Sequence, residues 1–204
     1  MDGPSGMARP RPPRPADAAS LVILRHGPGG PSVLMGQRSA RHRFMPRALV
    51  FPGGRLDAAD RAAGRRAGDP LAAFAACAFR ETAEETGLVA DPSTPTAYLC
   101  RLITPAFLPI RFDARFLVAD AAAFSGTLGG SGELDGLRWI GLDEAQGLDL
   151  AQPTRVVLDE LAAWLAAGEE GRAAHVAPCW RHRSGWLRRD PPGQFAARKV
   201  SPPT

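Results

Sequence analysis

Lysine is nearly absent from this chain: Lys199 stands alone, and the rest of the 25 basic residues are arginine. With alanine abundant, that bias fits a GC-rich gene as readily as selection for phosphate contacts, so charge alone is weak ground for a polyanion partner. Cysteine is sparse. Cys77, Cys100 and Cys179 make an odd count with no C-x-x-C spacing, which argues against a disulfide framework and leaves free thiols. No apolar run approaches the roughly 18 residues of a membrane span. The first 17 residues hold five prolines and three arginines without the apolar core of a secretory signal, so they read as a disordered leader on a cytoplasmic protein.

What is present fits one globular domain with tails: 204 residues, 45% apolar and 23% charged. The net charge of +4 is unevenly placed. Residues 171–204 carry seven basic residues against one acid, Asp190, so the preceding 170 residues sum to −2. We expect 169–204 to be a basic tail, mostly irregular, with nucleic acid an unlikely partner.

Strand signals come first along the chain. "SLVILR" and "SVLMGQR" flank the turn "HGPGGP", and "ALVF" at 48–51 is a third short strand. Residues 55–69 show no apolar face and read as a loop with one helical turn at most. Asp69 as N-cap, Pro70 at the first helical position and Gly87 as the stop predict a helix over 70–86. At about 100° per residue, Ala72, Ala76, Phe79 and Ala83 fall on one side and Glu81, Glu84 and Glu85 on the other, so the acids are expected to face away from the packed stripe. "TAYLCRLIT", "IRFDARFLVA" and "LRWIGL" read as further strands, and "TRVVLDELAAWLAAG", 154–168, as a C-terminal helix. The sum is an α/β fold, of the mixed α+β kind, with helices packed on both sides of a curved mixed sheet to make an α/β/α sandwich over residues 18–168.

The chemistry gathers in "CAFRETAEETGLVA", residues 77–90. Glu81, Glu84 and Glu85 stand at i, i+3 and i+4, where like charges repel by a few tenths of a kcal/mol per pair. A hard divalent cation, which takes oxygen ligands, turns that repulsion into a binding site. These residues, with Arg80, Gly87 and Leu88, resemble the second half of the Nudix box, G-x5-E-x7-R-E-U-x-E-E-x-G-U, where U is bulky and apolar; Thr82 occupies the first apolar position after Arg80-Glu81. With Gly54 as the opening glycine, 25 residues precede Arg80, an insertion of 12, and the glutamate eight residues before Arg80 is replaced by Ala72.

Insertions here occur in a branch similar to coenzyme A diphosphatases, in which an arginine-serine motif precedes "FPGG". "QRSARHRFMPRALVFPGG" keeps Arg38, Ser39, Arg43 and Phe51 and has His42, Met45 and Arg47 where that motif has leucine, histidine and glycine. The resemblance implies Mg²⁺ or Mn²⁺ held by Glu81, Glu84, Glu85 and the Gly53 carbonyl, and Arg80 orienting the box. It implies Arg38, Ser39, Arg43, Thr104 and Arg111 as substrate-binding residues, and Glu133, six residues before Trp139, as a further metal ligand or general base. The substrate class it implies is a nucleoside diphosphate linked to another group, most of all coenzyme A or an acyl derivative. ADP-ribose, a dinucleotide, or a catalytically silent ligand-sensing role are the alternatives, and relatives often form homodimers.

Two tail patterns stay outside that scheme. His175, Cys179 and His182 have ligand-like spacing without a fourth group, and Trp180 and Trp186 alternate with arginine as in single-strand binders.

Overall fold

The computed structural model describes residues 12–39, 45–183 and 186–190. Its centre is a hairpin of β1 (Ala16–Gly27) and β2 (Gly30–Arg38), turned by Pro28-Gly29 with Gly30 at φ +88°. A left-handed residue suits the twist of a tight hairpin, which is why glycine stands there. β1 starts at Ala16, inside the stretch read from sequence as leader.

β7 (Phe112–Asp120) runs parallel to β1 over nine paired residues, and β6 (Ala97–Ile103) pairs antiparallel with β7. β3 (Leu49–Val50) and β9 (Leu134–Gly141) both pair with β2, and β4 (Gly53–Arg55) pairs with β1. β5 (Leu88–Ala90) and β8 (Phe124–Gly126) form a separate ribbon. The basic tail is not irregular throughout: β10 (Cys179–Arg183) adds in parallel to β6, and β11 (Trp186–Arg189) pairs antiparallel with β10. Trp180 packs against the apolar cluster and its indole N–H donates to Glu160 at 3.0 Å, so this aromatic serves packing rather than base stacking.

Helices cover both faces, as α/β layering requires. α4 (Gln152–Ala166), extended by α5 (Gly168–Ala173), buries Val157, Leu158 and Leu161 against Val22, Val33, Leu99 and Ile140. Each such side chain contributes about 1.5–3 kcal/mol on leaving water. α3 (Leu142–Gln146) adds Ala145 to that cluster. On the opposite face, α2 (Pro70–Thr86) packs Phe74, Cys77 and Ala78 on Leu21, Ile23 and Leu117.

Two expectations change here. The insertion is a ten-residue helix, α1 (Ala58–Ala67), capped by Asp57 and ended by Gly68 at φ +66°. It lies against α2 so closely that a Cβ on Gly64 would come 2.7 Å from the Ala73 Cβ. The packed face of α2 is also different: Ala73, Phe74, Cys77, Ala78 and Thr82 are buried, Ala72, Ala76, Phe79 and Ala83 are not, and Glu85 is buried with the first group. A helix this rich in alanine has no apolar stripe sharp enough to fix its rotation.

No helix among the described residues is long and apolar enough to cross a membrane.

Candidate active site

The site grows from the C-terminal half of α2. Asp69 Oδ1 accepts from Leu71 N–H at 2.8 Å to start the helix, and Gly87, at φ +75°, stops it. A Cβ on Gly87 would lie 2.6 Å from the Thr127 carbonyl oxygen, so both conformation and space demand glycine. Between these caps Cys77, Glu81 and Glu85 stack one turn apart. The start of β4, Gly53 and Gly54, lies across them. Gly53 N–H donates to Glu85 Oε2 at 2.8 Å, and a Cβ on Gly54 would fall 2.3 Å from the Glu81 carboxylate.

That approach puts two acids in poor solvent. Glu85 is 4% exposed, and burial raises its pKa to about 7; the Gly53 N–H opposes the rise, while the charges of Glu81 and Glu133 add to it. Glu81 is raised too, by burial first, with Arg80 opposing and Glu84 and Glu133 adding. Glu84 is the outward member, its side chain 58% exposed. Glu133 is exposed, yet its charge reaches both inner acids.

Arg80 binds this acid face to the insertion. Its Nη1 donates to Glu81 Oε1 at 2.8 Å and lies 3.5 Å from Glu84 Oε2, and its Nη2 donates to Asp60 Oδ2 at 2.8 Å and to the Arg55 carbonyl at 3.1 Å. Its proton is held more tightly than in free arginine, chiefly by Asp60. Asp60 is 3% exposed, and although burial works the other way, Arg80 keeps its carboxyl below the ordinary range. The same carboxylate closes a capping box, with Asp57 N–H donating to Asp60 Oδ2 at 3.0 Å and Asp60 N–H to Asp57 Oδ1 at 2.8 Å.

Asp60 therefore fills the place left open at Ala72. Counted forward from Gly54, Asp60 is the sixth residue, the position of the acid in G-x5-E. The additional residues lie after it rather than before it. Counting back from Arg80 missed this; the D-x-x-D cap at 57–60 was the available signal.

Arg38, at the end of β2, is near enough that its charge opposes the rise of Glu85. Ser39 N–H donates to the Glu133 carbonyl at 3.1 Å, bringing the arginine-serine pair beside that loop. Arg43 lies outside the described residues. Arg47, where the motif has glycine, adopts the glycine-like φ of +60°, and Met45 stands at +50°. Arg47 is held by the strand stem, its N–H donating to the Arg38 carbonyl at 3.0 Å and its carbonyl accepting from Gln37 Nε2 at 3.0 Å, and the Met45 carbonyl accepts from Ala48 N–H at 3.3 Å.

Thr104 and Arg111 bond to each other's strand ends. Thr104 Oγ1 accepts from Phe112 N–H at 2.8 Å, and Arg111 donates to the Thr104 carbonyl at 3.2 Å and the Pro13 carbonyl at 2.8 Å. Arg111 thus ties the chain's early segment to the sheet. Thr104 lines a cavity of about 450 Å³ among Leu102, Leu108, Ile110 and Leu187, and Arg111 is not part of that lining. In the tail, His175 Nε2 lies 2.7 Å from the Leu99 carbonyl oxygen and His182 meets the Phe107 ring edge-on at 5.4 Å, so both rings are engaged in packing.

Among the described residues, no three acidic, histidine or cysteine side chains converge on one point. Glu81 is turned onto Arg80 and Glu85 onto the Gly53 N–H. The acidic donors on this face, Glu81, Glu84 and Glu85, offer carboxylate oxygens, the ligand type of a hard divalent cation, and the two glycines let the backbone approach them closely.

Residues 14–165 match the NUDIX domain family. A Nudix hydrolase from Alicyclobacillus acidocaldarius shares 27% identity at a TM-score of 0.60, the match covering 74% of this chain and 92% of that one. A MutT Nudix hydrolase from Burkholderia pseudomallei shares 22% at 0.55, covering 73% and 99%, and the Nudix domain of Shewanella oneidensis NrtR, solved with ADP ribose, shares 16% at 0.56, covering 75% and 90%. The last two establish likeness of fold. With the domain match spanning most of the chain and the box residues assembled as described, this protein belongs to the Nudix family and is a Nudix-type hydrolase.

Proposed function

We propose that this hydrolase is a divalent-metal-dependent diphosphatase whose substrate is coenzyme A or an acyl-coenzyme A. The observation that carries the first part is the acid cluster itself. A buried and a half-buried carboxylate whose protons are held by desolvation and mutual repulsion, with a third and a fourth close by, need positive charge that Arg80 alone supplies only in part.

Nudix hydrolases generally use divalent metal ions. Here Glu81, Glu84 and Glu85, with the Gly53 carbonyl, would hold Mg²⁺ or Mn²⁺, which when bound screens diphosphate charge and lowers the pKa of water. Arg80, fixed by Asp60, holds Glu81 in place and lies near the outward Glu84. We assign the proton from the attacking water to Glu133, a reading supported by its exposed carboxylate and by the reach of its charge to both inner acids. Water oxygen bonds to one phosphorus, the bridging P–O bond breaks, and two phosphate monoesters leave; for coenzyme A these are adenosine 3′,5′-bisphosphate and a phosphopantetheine.

Support for the coenzyme A class comes from the arginine-serine stem. Arg38 lies beside the acids, and Arg47 keeps the backbone that the motif's glycine would give. ADP-ribose is the competing substrate, being the ligand of one structural relative.

The test is product formation from coenzyme A, acetyl-coenzyme A, ADP-ribose, NADH and nucleoside triphosphates with Mg²⁺ or Mn²⁺, beside a Glu84→Gln control. Cleavage of a coenzyme A diphosphate that disappears in the control is the expected result. Full turnover in the control overturns the metal scheme, preference for ADP-ribose overturns the substrate class, and silence across the panel with metal bound favours a ligand sensor.

A further inference from the structure

The last carbonyls of a helix find no N–H within their own turns, so something outside must answer them. At the end of α2, Gly87 N–H donates to the Ala83 carbonyl at 3.0 Å and Thr86 Oγ1 to the Thr82 carbonyl at 2.7 Å. The next carbonyls are answered by a loop. Ser131 N–H donates to the Glu84 carbonyl and Gly129 N–H to the Thr86 carbonyl, each at 3.0 Å. Between the two bonds, a Cβ on Gly130 would fall 2.1 Å from the Glu85 carbonyl oxygen and 2.6 Å from its carbon, so only glycine lets the loop settle on the helix end.

That loop, residues 127–133, ends in Glu133. Left unattached, "LGGSGE" would have wide backbone freedom and its acid no fixed place. Here Glu133 is bracketed. Ser131, two residues before it, is bonded to the last turn of α2; the Glu133 carbonyl accepts from Ser39 N–H at 3.1 Å; and the following residue, Leu134, pairs with Arg38 on β2. Backbone hydrogen bonds therefore join the helix that carries the acids to the loop that carries Glu133. The reach of the Glu133 charge to Glu81 and Glu85 agrees with that placement.

We propose that Gly130 is a positioning residue for hydrolysis: it seats the 127–133 loop on the C-terminal turn of α2 and so holds Glu133 beside the acids before substrate arrives. The inference rests on the reading of Glu133 as base given above and adds what keeps that base in register. Gly129 supplies the contrast, since a Cβ there meets only the Thr127 carbonyl oxygen, at 4.0 Å. The crowding that demands glycine is confined to one residue of the pair.

The experiment measures kcat and KM for coenzyme A and for ADP-ribose with Mg²⁺ in the native chain, Gly130→Ala, Glu133→Gln and the double variant, circular dichroism showing each folded. Glu133→Gln should lower kcat by about a hundredfold or more, the usual worth of a positioned base. Gly130→Ala should lower kcat by at least about tenfold with KM held within about twofold. Gly129→Ala should lower it far less. The double variant should be no slower than Glu133→Gln, because residues acting as one unit do not add. Mn²⁺ affinity, read by calorimetry, should be the same in Gly130→Ala as in the native chain. Ser131→Pro removes the bond to the Glu84 carbonyl without crowding Glu85 and should repeat the pattern. Native kcat in Gly130→Ala beside a slow Glu133→Gln overturns the positioning role and leaves the base in place. Native kcat in Glu133→Gln overturns the base, and the positioning role with it. Equal losses with and without Glu133, or weakened Mn²⁺ binding, put the effect on α2 itself and also overturn the proposal. Amide hydrogen exchange needs no substrate: Gly129 and Ser131 should exchange slowly in the native chain and faster in Gly130→Ala. Rapid exchange at both in the native chain overturns the seat of the loop, whereas protected amides with neither diphosphate cleaved keep the seat and overturn the diphosphatase reading.

Discussion

The two faces of the sheet are built on different terms. Under α4 the filling is apolar, aliphatic and aromatic, with few polar side chains, such as the buried Thr154, whose Oγ1 donates to the Leu49 carbonyl. Under α1 and α2 the chain buries charge. Asp60 and Glu85 lie there, with Asp113 bonded to Arg101 at 2.6 Å and Arg115 set 3.7 Å over the Phe74 ring. Arg115 and Arg61 both reach Asp17, so the charged network runs from the sheet into the inserted helix. The difference teaches where folding free energy is stored and where it is given up: the α4 face supplies stability, and the α2 face holds acids apart from water for the sake of chemistry.

The comparison breaks most visibly at Glu85. Glu85→Gln should lower kcat by about a thousandfold or more, the order expected when one ligand of a catalytic ion is lost. The same change should stabilise the metal-free chain at pH 8 by on the order of 2 kcal/mol. The sign follows from the raised pKa of about 7 against an ordinary 4.5: the folded state holds this proton better, so native stability falls as pH rises between those values. Denaturation in chelator at pH 8 and pH 5 should show the advantage of the variant shrinking at the lower pH. Equal stability at both would sink this account.

Leu161→Ala works on the other face. It should cost about 3 kcal/mol of unfolding free energy and leave kcat per folded molecule unchanged, a contrast read by pairing urea denaturation with active-site-normalised rates. Asp60→Asn lies on the border. Loss of its charge on Arg80 should cost about 2 kcal/mol and weaken Mn²⁺ affinity, measured by calorimetry; unchanged metal affinity would show that Arg80 holds its place without the insertion. The smallest effect belongs to Thr82, whose buried hydroxyl has no partner among the described residues. Thr82→Val should stabilise by about 1 kcal/mol, read as a rise in Tm with activity retained.

Much of this was legible in the chain. Asp69, Pro70 and Gly87 fixed the ends of α2 because caps are local chemistry. The box acids announced themselves because three carboxylates on two turns of helix are costly without a use. What stayed hidden depended on distant partners. α1 has no apolar side chain larger than alanine and stands on its capping box, the Gly64–Ala73 contact and two ion pairs. β10 and β11 read as basic tail because alternating arginine and tryptophan gives no clear sign of an inner face until β6 supplies one. The rotation of α2 could not be settled among so many alanines, which is why the acids looked turned outward. The assembly of Glu133 and Arg38 with the box is likewise a property of the sheet and not of any one segment.

The inserted helix has a practical corollary. Gly68, where α1 turns back toward α2, is exposed, and a side chain there would meet nothing within 4 Å. The excursion leaves after Asp60 has been anchored, and Gly68 ends it in a left-handed turn immediately before the Asp69 cap of α2. Open space alone does not make it a grafting site: an epitope or a fluorescent module joined there must keep glycine at 68 and leave Asp69 free to start the helix that carries the acids.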